Sequence, residues 1–398
     1  MPKRKILFIN DSLWSGSGVF RSLQQILNHI RYDKFDVTLF VCPGGPTEPE
    51  MLSRLPEEVN VIVGSDDTHY YRSPDVAARH LLDRGARMLR LTDAAERLRG
   101  GTRQRIHEKK IRLPAQRYFR DVHFDVLVAN TVPLCSEVAR YIRADRKYVI
   151  FHSSKADFFP DLTLEALKTF DGMVAVGEGV RDVLLTAYPA YRDRIRTITN
   201  FVDAEPIRKL ADRTPLPERG AKPILCTCGR LSREKGFDLA VESARILRGD
   251  GFDFVWYFVG DGPERKKIEA MIAEYGLGDS ITITGFLQNP YPYIKNCDLY
   301  LQPSYEEAQP LALTEARILG RAIVSTDTVG GRAVLSNGET GVLTPISAEG
   351  LAGGIAALLR DPDRRASLEN LYTEEDRKRE KQAFETAWDR LLSGQEDV

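Results

Sequence analysis

Short apolar, β-branched runs alternate with longer amphipathic segments from one end of this chain to the other. That alternation predicts an α/β protein built as two doubly wound parallel-sheet domains. Length agrees, because 398 residues exceed what one hydrophobic core holds, and two domains of roughly 150–200 residues each are the default. The third observation is a break in the pattern: near residues 204–222, three prolines and many charges interrupt any period, so an interdomain linker is expected there.

Seven strand candidates precede the break: KILFIN, FDVTLFVC, VNVIVG, DVLVANT, KYVIFH, GMVAVG and RTITN. Six follow it: PILCTCG, VWYFVGDG, ITITGF, DLYLQPS, AIVSTDTVG and GVLTP. Near-continuous hydrophobic strands separated by helical segments read as parallel strands covered on both faces. Residues 1–203 are therefore expected to form the first domain and 223–375 the second, with a C-terminal helix over 376–398 packing back toward the first domain. One segment departs from the alternation. From Arg79 to Arg120 basic residues outnumber acidic ones by nine, and Leu82, Ala86 and Leu89 fall on one face of an expected amphipathic helix. This is either a solvated helical insertion or a basic lobe that meets an anionic membrane surface or an acidic acceptor.

Composition excludes several classes. A formal net charge of −1 gives no general attraction to nucleic acid, and no nucleic-acid partner is expected. The five cysteines are scattered, and Cys226 and Cys228 have no second pair or histidine cluster to complete a zinc pattern. They read as buried thiols, and no metal site is expected. The one literal Asp-x-Asp, Asp361 to Asp363, reads as a helix start. MPKRKILFIND does not resemble a signal peptide, and no apolar run approaches the roughly 20 residues of a spanning helix. The expected location is the cytoplasm, with any membrane contact made from the surface.

Three strand-end loops have the make-up of an anion site, since doubly wound sheets bind ligands beyond the carboxyl ends of their strands. In NDSLWSGSGVFRSL, Gly16 and Gly18 would let backbone approach a phosphate, with a helix from about Val19 aiming N–H groups at it. A plain glycine turn is the alternative. In CGRLSREKGFDLAV, Arg230 and Lys235 bracket a polar turn and would suit a diphosphate, although surface cations are common. In SYEEAQPLALTEARILG, a helix is expected to start at Gln309 or Pro310, leaving Glu307 in the loop and Glu315 more than a turn inside. Glu315 stands among Leu311, Leu313, Ala316 and Leu319, where an unsatisfied carboxylate would cost several kcal/mol. Either the protein or a ligand must satisfy it. Two sets of hydroxyls with negative charge between them, as in a sugar and a ribose joined by a diphosphate, match this layout.

These residues resemble the retaining glycosyltransferases of family 4, which have the GT-B fold. Glu307, seven residues, then Glu315 is similar to that family's signature; GRLSREKGFDLAVESA, FVGDGPERKKIE, ITITGF and TNFVD are similar to its other landmarks. The resemblance implies a nucleoside-diphosphate sugar donor, UDP-linked by preference, bound by the second domain, and a glycan or lipid-linked acceptor on the first. It implies no required cofactor. Arg230 and Lys235 would neutralise the diphosphate, Glu307 would hold sugar hydroxyls, and Glu315 the ribose hydroxyls. Ala308, Gln309, Pro310 and Leu311 would line the donor side, Gly16 and Gly18 would approach the phosphate, and His152 would stand near the sugar. Read without the family, a histidine at a strand end is more often structural. Where the family has EGFG this chain has EEAQ, Glu306 to Gln309, so the loop expected to face the sugar is altered. Another GT-B enzyme, such as a sugar-nucleotide epimerase or a phosphorylase, or a non-catalytic GT-B scaffold subunit, are the competing readings.

Overall fold

The computed structural model describes residues 2–14, 17–43, 46–64, 112–153, 165–213, 220–335 and 338–395. Among these residues, thirteen strands lie in two parallel sheets. The first sheet holds β1 (Arg4–Asn10), β2 (Phe35–Val41), β3 (Asn60–Val63), β4 (His123–Ala129), β5 (Arg143–Phe151), β6 (Gly172–Ala175) and β7 (Ile195–Thr197), in the order β3-β2-β1-β4-β5-β6-β7. The second holds β8 (Ile224–Cys228), β9 (Val255–Val259), β10 (Ile281–Gly285), β11 (Leu299–Gln302), β12 (Ala322–Thr326) and β13 (Val342–Thr344), ordered β10-β9-β8-β11-β12-β13. Every expected strand is present, because runs such as ILFI and VLVA are buried on both faces and need no alternation.

Strand order locates the chemistry. In the first sheet the order reverses at β1, flanked by β2 and β4; in the second it reverses at β8, flanked by β9 and β11. Crevices open beyond the carboxyl ends of strands at such switch points. The loops after β1, β8 and β11 are the three that the sequence singles out.

Helices pack where their apolar spacing requires. Phe237–Gly249 buries Phe237, Ala240, Val241, Ala244 and Leu247, one face of a 3.6-residue period. Part of the segment expected as a linker is helical: Ala204–Ala211 starts on an Asp203 cap and buries Ala204, Ile207 and Ala211 beside Tyr291, Ile294 and Leu313. Its Pro206 lies in the first turn, where a missing N–H costs nothing, so the proline that suggested a break is compatible with helix. The C-terminal helix begins at Glu374, on a Thr373–Asp376 capping box, and runs to Ser393. Its Phe384, Trp388, Leu391 and Leu392 join the core of the first sheet, with Trp388 6.2 Å from Phe8 between ring centroids. Lys34–Asp389 at 2.8 Å adds a pair across the same seam, while Arg317–Glu380 at 3.2 Å ties the start of that helix to the second domain.

The basic segment lies outside the described residues as far as residue 111. Its end has two faces: Leu113–Phe119 is helical, Ala115 and Phe119 are buried, with Phe119 edge-on against Phe40, and Arg112, Arg117 and Arg120 are exposed. Among the described residues, no helix is long and apolar enough to cross a membrane.

Candidate active site

Glu307 is the hub of the site. Its Oε1 accepts from Lys235 Nζ at 2.7 Å, Gln302 Nε2 at 2.9 Å and Ser304 Oγ at 2.9 Å. It is 8% exposed. The donors come from two loops and a strand end. Gln302 closes β11, and its own Oε1 accepts from the fully buried Tyr300 hydroxyl at 3.1 Å. Lys235 ends a 3-10 turn that leads into Gly236 at φ +64°. Gly236 is required here twice: that φ disfavours an L side chain, and a Cβ would stand 2.0 Å from the Pro303 carbonyl. The close approach lets the Lys235 turn reach the Glu307 loop. That loop is fixed from behind as well, since Gly330 N–H donates to the Glu307 carbonyl at 2.8 Å.

Glu315 is fully buried one turn inside the helix Leu311–Ile318. Its Oε1 pairs with Arg21 and accepts from the Tyr291 hydroxyl at 3.3 Å. Arg21 Nη2 also donates to that hydroxyl at 3.0 Å. Arg21 belongs to the other domain, on the helix Gly18–Asn28, which starts on a Ser17 cap whose side chain accepts from Phe20 N–H at 3.2 Å. Phe20, Leu23 and Leu27 bury that helix against the first sheet and leave Arg21 facing the cleft. Glu315 Oε2 has no partner among the described residues. The carboxylate is thus half satisfied by the protein, with one acceptor oxygen left over beside the cleft.

The cleft between the domains is a cavity of about 740 Å³ whose lining includes Trp14, Gly18, Arg21, Arg230, Asp261 and Tyr291. Gly18 opens the first helix, and a Cβ there would meet nothing within 4 Å, so room rather than strain marks the position. Gly16 lies outside the described residues. Arg230 is exposed, with its guanidinium 5.9 Å from the centroid of the Trp14 ring across the cleft, a cation–π geometry that carries charge without consuming the fork of N–H donors. Arg230 and Lys235 therefore stand on one loop, one open to the cleft and one paired with Glu307.

His152 follows β5 and contacts a buried polar chain: its Nε2 lies 3.4 Å from Asn130 Oδ1, and Asn130 Nδ2 donates to Asn10 Oδ1 at 2.8 Å. Although His152 keeps part of its surface open, burial pushes its imidazole down to about 4, and a hydrogen bond with the Asn130 backbone opposes that only in part. Near neutral pH the ring is uncharged. Among the described residues it makes no hydrogen bond to the Lys235–Glu307 cluster. Ala308 packs against the core of the first domain, Gln309 bonds to the Asn200 backbone through both ends of its amide, Pro310 is the N-cap and Leu311 opens the helix. Sequence reasoning missed Arg21, Tyr291, Gln302 and Ser304. Arg21 alone carried a signal, as the cation in the first helix after a glycine loop.

Residues 209–374 match the family model described as glycosyl transferases group 1. The chain is 29% identical over 191 residues to the alpha-D-kanosaminyltransferase of Streptomyces kanamyceticus, covering 47% of this chain and 50% of that one. It is 26% identical over 179 residues to the lipopolysaccharide core biosynthesis glycosyltransferase LpsE of Rhizobium meliloti, covering 45% and 51%. The match thus spans about half the length of these curated relatives. Among solved structures, HepE of Anabaena in complex with UDP and glucose aligns over 98% of both chains at a TM-score of 0.65 and 18% identity. Sucrose-phosphate synthase of Thermosynechococcus elongatus aligns over 99% and 98% at a TM-score of 0.67 and 18% identity. The fold is GT-B. Arg230 lines the cleft between the two switch points, while Lys235 and Glu307 stand on the loops after β8 and β11 and Glu315 on the helix that follows.

Two predictions follow from these groups. Replacing Arg21 with alanine strands the buried Glu315 charge, and should cost about 1–3 kcal/mol, discounted for the part of Arg21 that meets water. Glu315→Met removes the stranded oxygen along with the pair and should cost less, or nothing. Urea unfolding of both variants gives the order, and a larger loss in Glu315→Met overturns this account of the pair. For His152, the native ring is depressed to about 4 against a usual 6.5. The unfolded chain then binds a proton that the native one refuses. Stability should therefore be full above about pH 6.5 and fall, by up to about 3 kcal/mol, as pH drops toward 4. Denaturation of wild type and His152→Gln at pH 7 and 4.5 measures the difference; an equal pH slope in both removes His152 as the cause.

Proposed function

We propose that this chain is a retaining glycosyltransferase that moves a sugar from a nucleoside-diphosphate sugar, UDP-linked by preference, to a glycan or lipid-linked acceptor in the biosynthesis of surface polysaccharide or a glycoconjugate. The observation that carries the reading is the pair of buried carboxylates on the loop after β11 and the helix that follows it. Glu307 is held by three donors, and Glu315 keeps a free acceptor oxygen. The likeness to a kanosaminyltransferase and to a lipopolysaccharide core biosynthesis glycosyltransferase, and the UDP-bound state of HepE, support it.

The residues divide the work by position. Glu315 Oε2 accepts from a ribose hydroxyl, and the Arg21 contact gives way to the second hydroxyl. Arg230 and Lys235 draw negative charge to the loop after β8, where charge grows on the leaving diphosphate as the sugar–oxygen bond breaks. Lys235 starts bound to Glu307, so Glu307 and the cation are positioned before the donor arrives. Glu307 then accepts from sugar hydroxyls while keeping its Gln302 and Ser304 donors. The acceptor oxygen bonds the anomeric carbon on the face the diphosphate leaves, and its proton passes to a diphosphate oxygen. His152, uncharged near neutral pH, serves as a hydrogen-bonding group on the acceptor side and not as a cation.

An epimerase or phosphorylase on the same fold would share the cleft, and a scaffold subunit would release no nucleotide. Release of UDP from UDP-sugars, with and without acceptor, separates them. Arg230→Ala and Lys235→Ala should each lower kcat about 30- to 1000-fold, from about 2–4 kcal/mol of lost charge stabilisation, with the fold intact. Full turnover in both variants would remove the loop from catalysis. For a lipid-linked acceptor, the basic segment Arg79–Arg120 supplies the membrane contact, each cation near an anionic surface adding about 1 kcal/mol. Sedimentation with anionic and neutral vesicles at low and high salt should show salt-sensitive binding to the anionic ones alone. Equal, negligible pelleting with both at low salt rejects the membrane contact.

A further inference from the structure

Gln309 occupies the loop that was expected to face the sugar, yet its carboxamide is turned the other way. Asn200 N–H donates to Gln309 Oε1 at 3.1 Å, and Gln309 Nε2 donates to the Asn200 carbonyl at 3.2 Å. The two bonds together imitate one rung of a sheet, made by a side chain to a backbone 109 residues away. Asn200 lies just after β7, where the chain leaves the first domain for the helix Ala204–Ala211 and the second sheet. Its side chain meets Ser22, the neighbour of Arg21 on the first helix. Gln309 lies two residues after Glu307, and Ala308 between them packs on the core of the first domain. Behind the loop, Gly330 is held so close that a Cβ would stand 2.7 Å from Pro310 and 2.9 Å from the Glu307 carbonyl. The Glu307 loop is thus pinned on one side by its own domain and on the other by Gln309 reaching across the junction.

We propose that Gln309 is a positioning residue that latches the closed arrangement of the two domains and so sets the Glu307 loop over the donor site. The inference rests on the glycosyltransferase reading above for the identity of the donor. One donor and one acceptor of the carboxamide are spent on Asn200, so its part is to hold the loop in place while Glu307 meets the sugar. Arg21–Glu315 is a second tie across the same seam, but it stands where ribose hydroxyls would compete for the carboxylate. The Gln309 tie involves no group that a donor would use, so it persists with the site filled. When a binding-competent state is only partly populated, apparent affinity falls by that fraction. Loss of the latch should therefore weaken donor binding more than turnover at saturation.

The test uses the full chain and two variants. Gln309→Met keeps the length of the side chain and removes both hydrogen bonds; Gln309→Glu keeps the acceptor for Asn200 N–H and sets a second oxygen against the Asn200 carbonyl. Solution scattering without ligand should show both variants more expanded than wild type, and saturating UDP should return Gln309→Met to the wild-type envelope. UDP titration should give a Kd raised about ten-fold, the scale of two net hydrogen bonds. With a turned-over UDP-sugar, KM should rise about ten-fold and kcat change less than about three-fold. A wild-type envelope together with wild-type UDP affinity in Gln309→Met overturns the latch. So does a lowered melting temperature with an unchanged ligand-free envelope, because that is the mark of a local packing role. If wild type itself neither binds UDP nor releases it from any donor, the transferase reading fails, and the ligand-free scattering still decides the latch.

Discussion

Taking a carboxylate out of water costs several kcal/mol unless hydrogen bonds or a cation replace its hydration, and this chain does so twice within nine residues. Glu307 is compensated within its own domain by Lys235, Gln302 and Ser304. Glu315 is compensated from the opposite domain by Arg21. The difference has a structural consequence. A carboxylate whose cation lies across a cleft ties its own desolvation to the closure of that cleft, whereas one satisfied locally is ready in either state. The relative placement of the two sheets, the glycine that brings Lys235 to Glu307, and the turn of the first helix that presents Arg21 are all arranged around these two charges.

The fold was legible because its signal is local. A strand buried on both faces must be apolar throughout, so ILFI, VLVA and AIVS announce themselves without knowledge of their neighbours. The switch points at β1 and β8 were implied once two doubly wound sheets were recognised, and Arg230 and Lys235 follow β8 while Glu307 follows its neighbour β11. Partners that lie far apart in sequence were not legible. Arg21 and Glu315 are separated by about three-quarters of the chain, and the glycine loop before the helix of Arg21 is the one local hint of its role, with nothing in it to point to Glu315. Gln302 reads as the polar end of a strand, and only its geometry shows both ends of its amide committed, to Tyr300 on one side and to Ser304 and Glu307 on the other.

The junction was misjudged for a related reason. Prolines and charges between 204 and 222 suggested a loose connection, yet Pro206 falls in a first helical turn, where its missing N–H is no loss. The charges of that helix are solvated while Ala204, Ile207 and Ala211 pack under Tyr291 and Leu313. The connection is therefore part of the second domain's core up to Ala211, and the chain changes domain earlier, between β7 and Asp203. Asn200 lies at that crossing, after β7 and before the helix Ala204–Ala211, and this position gives the Gln309 contact its meaning.

Closure in this molecule is consequently held by ties of different chemistry. Arg21–Glu315 is ionic and partly open to water on the Arg21 side, so its strength depends on salt. Gln309–Asn200 is neutral, so salt does not screen it. The C-terminal helix adds a third that is apolar, with Phe384 and Trp388 in the first core while Glu380 on the same helix holds Arg317 of the second domain. A motion that opened the cleft at Arg21 while keeping the C-terminal helix seated would have to break the Arg21–Glu315 tie and strain the Gln309–Asn200 one. A ligand that replaced only the ionic tie would leave the neutral one to carry the closed state through binding.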